Sequence, residues 1–165
     1  MAETQNPDRV VLTNMTSLEE LALPYRPEEL ARAVTIAYAR NAPLGFSHQV
    51  MQFQLRENEK LDFTFYVDQE SGAPVSDDAT KILDAMTASS RTAHNIASGA
   101  PPEVQLLWPG VLLMRTRITS LKYSYKRFSS FNGKPTWFSV TVALEETPQK
   151  RMWAEDIRTK GLFRL

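Results

Sequence analysis

The chain of 165 residues contains no cysteine, so it has no disulfide framework, no thiolate metal site and no thiol nucleophile. Histidine is scarce: His48 and His94 are the only two, and neither lies in a metal-ligand spacing. His48 follows Gly45-Phe46-Ser47, but the second glycine of a nucleophile elbow is missing. Each histidine is therefore read as a loop or interface residue. The six glycines form no phosphate-cradling loop. Net charge is also absent, because Lys+Arg and Asp+Glu both count 19. An obligate nucleic-acid binder would normally carry a basic excess. No run approaches the roughly 20 apolar residues that cross a bilayer, and Met1–Arg9 is polar, without the apolar centre of a signal peptide. A soluble protein made and used in a cytoplasm is expected. Neither an internal repeat nor a low-complexity stretch occurs.

What is present is alternation. A hydrophobic content of 42% and a charged content of 23% are ordinary for one globular domain. The clearest pattern is Leu121–Glu146. Leu121, Tyr123 and Tyr125 alternate with Lys122, Ser124 and Lys126, and Phe138, Val140, Val142 and Leu144 alternate with Ser139, Thr141, Ala143 and Glu145. Period-2 alternation of aromatic and β-branched residues predicts half-buried strands. Asn132-Gly133 supplies the positive φ of a turn between them. A long antiparallel hairpin with one dry and one wet face follows.

The rest of the chain reads mainly as strand. Val10–Leu12 and Leu18–Leu23 are short candidates. Leu30–Arg40 is read as strand because Val34, Thr35 and Ile36 are β-branched. Val50–Leu55 and Leu61–Asp68 alternate cleanly, and the polar Arg56–Lys60 is expected to join them as a hairpin loop. Leu61, Phe63, Phe65 and Val67 share the expected core face. The period then lengthens: Ile82, Leu83 and Met86, with Ala79 and Ser90, form a 3.6-residue stripe and predict one helix over Asp77–Ser90. Asp77-Asp78 suits its N-terminal turn. The stretch 91–102 is expected to be a mobile connector. Val104–Trp108 and Val111–Phe128 complete the strands. The continuous apolar run Val111–Met114 suggests burial on both faces.

Chemistry is thin. Adjacent carboxylates in a strand, such as Glu145 and Glu146, point to opposite faces and do not make a general acid–base pair. No catalytic residue, cofactor or metal ligand is assigned, and an enzyme is not expected. Lys122-Tyr123-Ser124-Tyr125-Lys126-Arg127-Phe128 interleaves bases with aromatics, as a stacking platform for single-stranded nucleic acid would. The plainer reading is an aromatic core face behind a lysine-bearing surface, and it is preferred. A nucleic-acid-binding small β-barrel that uses Tyr123, Tyr125 and Phe128 is the alternative function.

Taken in order, these pieces resemble the tube-type protein family of contractile phage tails and related injection systems. Leu23-Pro24-Tyr25-Arg26-Pro27-Glu28-Glu29-Leu30 is similar to a turn between that family's first strands. Pro43–Ser47 with Met51-Gln52-Phe53, then Leu61–Asp68, resemble its next loop and strands, and Ile82–Met86 falls in its helix. Pro102, Val104–Trp108 and Gly110 resemble a further strand. Leu121–Phe128, Gly133-Lys134-Pro135 and Val140–Glu145 resemble its closing hairpin.

The resemblance implies a mainly β fold with one flanking helix, a β-sandwich or small barrel. It covers residues 10–146, between a loose arm over 1–9 and a docking tail over 147–165. It further implies a homo-oligomer: six copies close into a ring of the inner tube, or initiate that tube at the baseplate, beside adjacent tube, hub or baseplate proteins. DNA would be lumen cargo only, in a phage. No membrane is involved, and the site of action is a tail or injection particle assembled in a host cytoplasm. Too few residues follow Glu146 for the peptidoglycan-binding LysM module of many relatives. Lys122, Ser124, Lys126, Ser139, Thr141 and, in the tail, Trp153 are the expected assembly interface. Val140→Pro is expected to stop assembly before it costs solubility.

Overall fold

The computed structural model describes residues 9–23, 26–42, 44–45, 47–68, 76–89 and 99–148, with helix side chains from Ala79 onward. Residues 1–8 of the expected N-terminal arm, 91–98 of the expected 91–102 connector, the side chains of Asp77 and Asp78, and 149–165 of the expected tail, with Trp153, lie outside them. Among the described residues nine strands and one helix follow in order: β1 Val11–Asn14, β2 Glu20–Ala22, β3 Leu30–Ala33, β4 Ile36–Asn41, β5 Val50–Arg56, β6 Lys60–Asp68, α1 Ser76–Thr87, β7 Val104–Trp108, β8 Leu112–Phe128 and β9 Pro135–Glu146. Seven strands form one antiparallel sheet in the order β2-β1-β7-β8-β9-β6-β3, and β4 and β5 form a separate pair. The fold is the mainly β, one-helix type expected. Its sheet curls but does not close into a barrel, because β2 and β3 remain its edges.

Alternation explains the core. Along β6, Leu61, Phe63, Phe65 and Val67 are buried, and along β9 so are Phe138, Val140, Val142 and Leu144. Register sets Phe65 beside Val140 and Phe63 beside Val142, so the two apolar rows zip together. The opposite half supplies Leu12 from β1, Val104, Leu106 and Trp108 from β7, and Leu112 and Met114 from β8. Burial on both faces of the Val111–Met114 run is not realised. Leu112 and Met114 are buried, whereas Val111 and Leu113 are only half-buried, because the sheet covers one face there.

β8 joins the two halves. Leu112–Thr116 pair with β7, and Thr116–Phe128 pair with β9. Just past Thr116 the register slips between Ile118 and Ser120. Such a bulge bends a strand and sharpens its twist, so the sheet folds over on itself. Phe63 and Trp108 then meet edge to face across the interior, with ring centroids 5.7 Å apart. Helix α1 closes the core with Leu83 and Met86, and Ile82 packs beside them.

The β8–β9 hairpin forms as expected, with Gly133 at φ 66° in its turn. Two expectations need correcting. The single strand Leu30–Arg40 is broken at Val34-Thr35 into β3 and β4. β5 and β6 are not a hairpin with each other: β5 pairs with β4, and β6 pairs with β3 and β9. Alternation identifies a strand but not its partner, and the polar Glu57-Asn58-Glu59 links β5 to β6 without pairing them.

Candidate functional site

The hairpin's wet face is assembled across three strands. Lys122 of β8 lies opposite Thr141 of β9, and Thr141 lies opposite Thr64 of β6. The hydroxyls of Thr64 and Thr141 share a hydrogen bond of 2.9 Å. One row on, Ser124, Ser139 and Tyr66 stand side by side. Ser139 is buried despite its outward direction. Beyond it Trp137 stacks on Tyr66, with centroids 5.6 Å apart and planes 9° apart. The ammonium of Lys126 sits 4.8 Å from the Trp137 ring centre. That geometry is a cation–π contact backed by a second aromatic ring. Five of the six expected interface residues thus share one face. Trp153 lies outside the described residues. Asp62 and Asp68 follow the same alternation as Thr64 and Tyr66 along β6. The face therefore mixes charges and is not a basic track for a polyanion.

The dry face carries the other aromatics. Tyr123 lies opposite Val140 and donates its hydroxyl to Asp84 Oδ1 of α1 at 2.8 Å. Burial raises its phenol pKa above the ordinary value, and the bond to Asp84 adds to the rise. Tyr125 stacks on Tyr123, with centroids 6.3 Å apart, and leans on Phe138 at 5.3 Å. A platform for bases needs free ring faces; Tyr123 is half-buried, and Tyr125, although 46% exposed, packs against Tyr123 and Phe138. Phe128 is the most exposed of the three, at 61%.

The feature missed in the sequence is the β4–β5 pair. It leaves the seven-stranded sheet as a projecting two-stranded arm. Register puts Ile36, Tyr38, Arg40, Met51, Phe53 and Arg56 on one face. Tyr38 and Phe53 meet edge to face at 6.2 Å. Phe53 is nevertheless 65% exposed and Met51 55%. At the arm's tip Leu44 is fully exposed beside Gly45, whose φ is 90°. An isolated two-stranded hairpin is marginal in water. A face of Tyr, Phe, Met and Arg without Lys, Asp or Glu has the composition of a protein interface core. The signal was legible as clean alternation in Val50–Leu55, but alternation does not say what covers the apolar side.

Open strand edges accompany the arm. Among the described residues no strand pairs with β8 beyond Thr116 on the edge where β7 ends. Such edges template pairing with another chain. Among the described residues no cluster of His, Asp or Glu is arranged to hold a metal ion, and no helix is long and apolar enough to cross a membrane. His48 is exposed, with its Nδ1 3.5 Å from Ser47 Oγ.

The profile described as contractile injection system tube protein matches residues 11–154. No curated protein matches the sequence. Among solved structures, the chain is similar to one from the tail of an empty gene transfer agent particle computed with helical refinement and C6 symmetry. The TM-score is 0.47 at 13% identity, covering 93% of this chain and 100% of the other. A chain from the virion of a native gene transfer agent particle gives a TM-score of 0.42 at 13% identity, covering 88% and 95%.

Proposed function

The chain belongs to the contractile injection system tube protein family, and from that premise we propose that it is a structural subunit that closes with identical copies into a ring of the inner tube. Six copies per ring is the number the family resemblance implies. The other form we propose is a ring that initiates the tube at the baseplate. The role is mechanical, with no catalytic step.

One observation carries the reading: the β4–β5 arm holds Ile36, Tyr38, Met51 and Phe53 on a surface that its own subunit leaves exposed. Burying such a face against a second copy removes apolar area from water at about 25 cal/mol per Å². Cyclic closure satisfies every copy equally. The free edge of β8 and the mixed polar face of Lys122, Ser124, Lys126, Ser139 and Thr141 are proposed as the remaining inter-subunit and lumen surfaces. In that assembly the particle is a contractile tail or injection device, and neighbouring tube, hub and baseplate proteins are its partners.

Mass photometry and negative-stain electron microscopy test this. Rings of defined copy number are expected, alone or after mixing with the tube and baseplate proteins of the same particle. Phe53→Asp is expected to leave a folded monomer with an unchanged unfolding midpoint. A parent protein that stays monomeric with all those proteins overturns the proposal. Salt-dependent binding of single-stranded oligonucleotide, lost in Tyr125→Ala, would favour the alternative nucleic-acid-binding module instead.

A further inference from the structure

The arm and the body are continuous chain. β3 passes into β4 through Val34-Thr35, and β5 passes into β6 through Glu57-Asn58-Glu59. Both stalks interrupt their ladder at the same level. The last pair of the body is Ala33 with Lys60, and the first pair of the arm is Ile36 with Arg56. Between them a backbone bond from Glu57 N–H to the Thr35 carbonyl, at 2.9 Å, bridges the neck. A neck with so little ladder bends easily unless side chains hold it.

Side chains do hold it. Glu59 is only 1% exposed, and its carboxylate accepts a hydrogen bond from Arg32 Nε on β3. The backbone of Glu59 is tied to the end of β9: its carbonyl accepts from Glu146 N–H at 2.8 Å, and its N–H donates to the Glu146 carboxylate at 3.4 Å. Next to it Asn58 Nδ2 donates to Glu145 Oε1 at 3.2 Å. Glu59 therefore joins one stalk of the arm, the strand leading to the other stalk, and the interior strand β9 of the body. A buried carboxylate is costly to desolvate, and apolar side chains would fill the same space without that cost. What the ion pair adds is a fixed direction, since a charge-assisted bond has geometry that apolar packing lacks.

We propose that Arg32 and Glu59 are positioning residues that lock the β4–β5 arm at one angle to the subunit's sheet, so that its Ile36, Tyr38, Met51 and Phe53 face is presented pre-aimed to a second copy of the chain. The aim rests on the reading of the arm as a docking element, whereas the lock is a property of the single subunit. Pre-aiming removes the ordering cost that a swinging arm would add to each docking event.

The absence of cysteine makes a clean test available. Spin labels on Gln52→Cys in the arm and Ser120→Cys in β8, diluted with unlabelled protein, report the arm–body distance by pulsed dipolar spectroscopy. The parent is expected to give one narrow distance. The double variant Arg32→Met with Glu59→Met removes both charges of the pair together, so that neither is left without the other. It is expected to unfold at the parent's midpoint and to broaden the distance at least about twofold, as a swinging neck requires. A double variant as narrow as the parent overturns the lock. Should that variant fail to fold, Glu59→Gln keeps the buried shape, weakens the charge-assisted bond and is judged by the same two outcomes. Failure of the docking reading shows separately, as a Phe53→Asp protein that assembles like its parent.

Discussion

Trp108 of β7 and Phe63 of β6 touch edge to face with centroids 5.7 Å apart, although β8 and β9 lie between their strands in the sheet. Three strand steps in a flat sheet span about 14 Å. The contact therefore measures how far the sheet has folded on itself. It makes one continuous sheet behave as the two layers of a sandwich, with Leu12, Leu106 and Met114 of one half and Phe65, Val140 and Leu144 of the other in a single buried cluster. The bulge at Thr119 is where β8 turns from one layer to the other. Its hydroxyl donates to the Ala143 carbonyl at 3.2 Å, which holds the bent strand to β9.

Trp108→Ala is expected to be among the most damaging single truncations in the subunit. Trp108 is buried, and truncating a buried Trp to Ala costs about 3–5 kcal/mol. A double-mutant cycle of Trp108→Leu with Phe63→Leu isolates the pair. A coupling of about 0.5–1.5 kcal/mol in urea unfolding is expected for an edge-to-face contact. Zero coupling would mean that the two layers do not depend on this contact.

Val140→Pro now reads differently from its expectation in the sequence. Val140 is fully buried and stands between Tyr123 of β8 and Phe65 of β6 in the interior strand β9. Proline removes a ladder donor and is confined to edge strands in native sheets. With total stabilities of about 5–15 kcal/mol, a loss of several kcal/mol there brings the subunit near unfolding. Loss of soluble protein is expected together with loss of assembly. Fractionation and circular dichroism check this, and folded, soluble Val140→Pro protein would contradict it.

Much of the body was legible because its residues carry a local rule. Leu61–Val67 and Phe138–Leu144 alternate without exception, and Asn132-Gly133 marks the turn between β8 and β9. Ile82, Leu83 and Met86 announce the helix by their spacing. Pairing was not legible in the same way. Val50–Leu55 and Leu61–Asp68 look like a hairpin because they are adjacent and both alternate, yet β6 finds its partners at Leu30–Ala33 and Trp137–Glu145. Those choices depend on contacts far apart in sequence. The arm's exposure was hidden for a related reason. The same alternation describes a strand covered by its own subunit and one left open to another copy. The Lys126–Trp137–Tyr66 contact depends on register across three strands, which no single stretch encodes.

The bond between Tyr123 and Asp84 leads to a prediction about pH. Burial first, then the hydrogen bond to the Asp84 carboxylate and its charge, raise the Tyr123 phenol above its ordinary pKa of about 10. The folded state therefore holds this proton more tightly than the unfolded state. The contribution is fully present below pH about 10 and is lost as pH climbs beyond it toward the folded value. Tyr123→Phe is expected to lose about 0.5–1.5 kcal/mol at neutral pH, because the donor is gone while Asp84 stays exposed to water. Above pH about 10 the gap between parent and variant should narrow, since the parent alone carries this loss. Tyrosinate absorbance gives an independent check among the five tyrosines. In the folded protein the variant and the parent are expected not to differ in this signal near pH 10, because Tyr123 does not ionise there. A variant lacking one tyrosine's worth of that signal would mean that Tyr123 titrates as an ordinary surface phenol, and that the hairpin's dry face is not closed by α1.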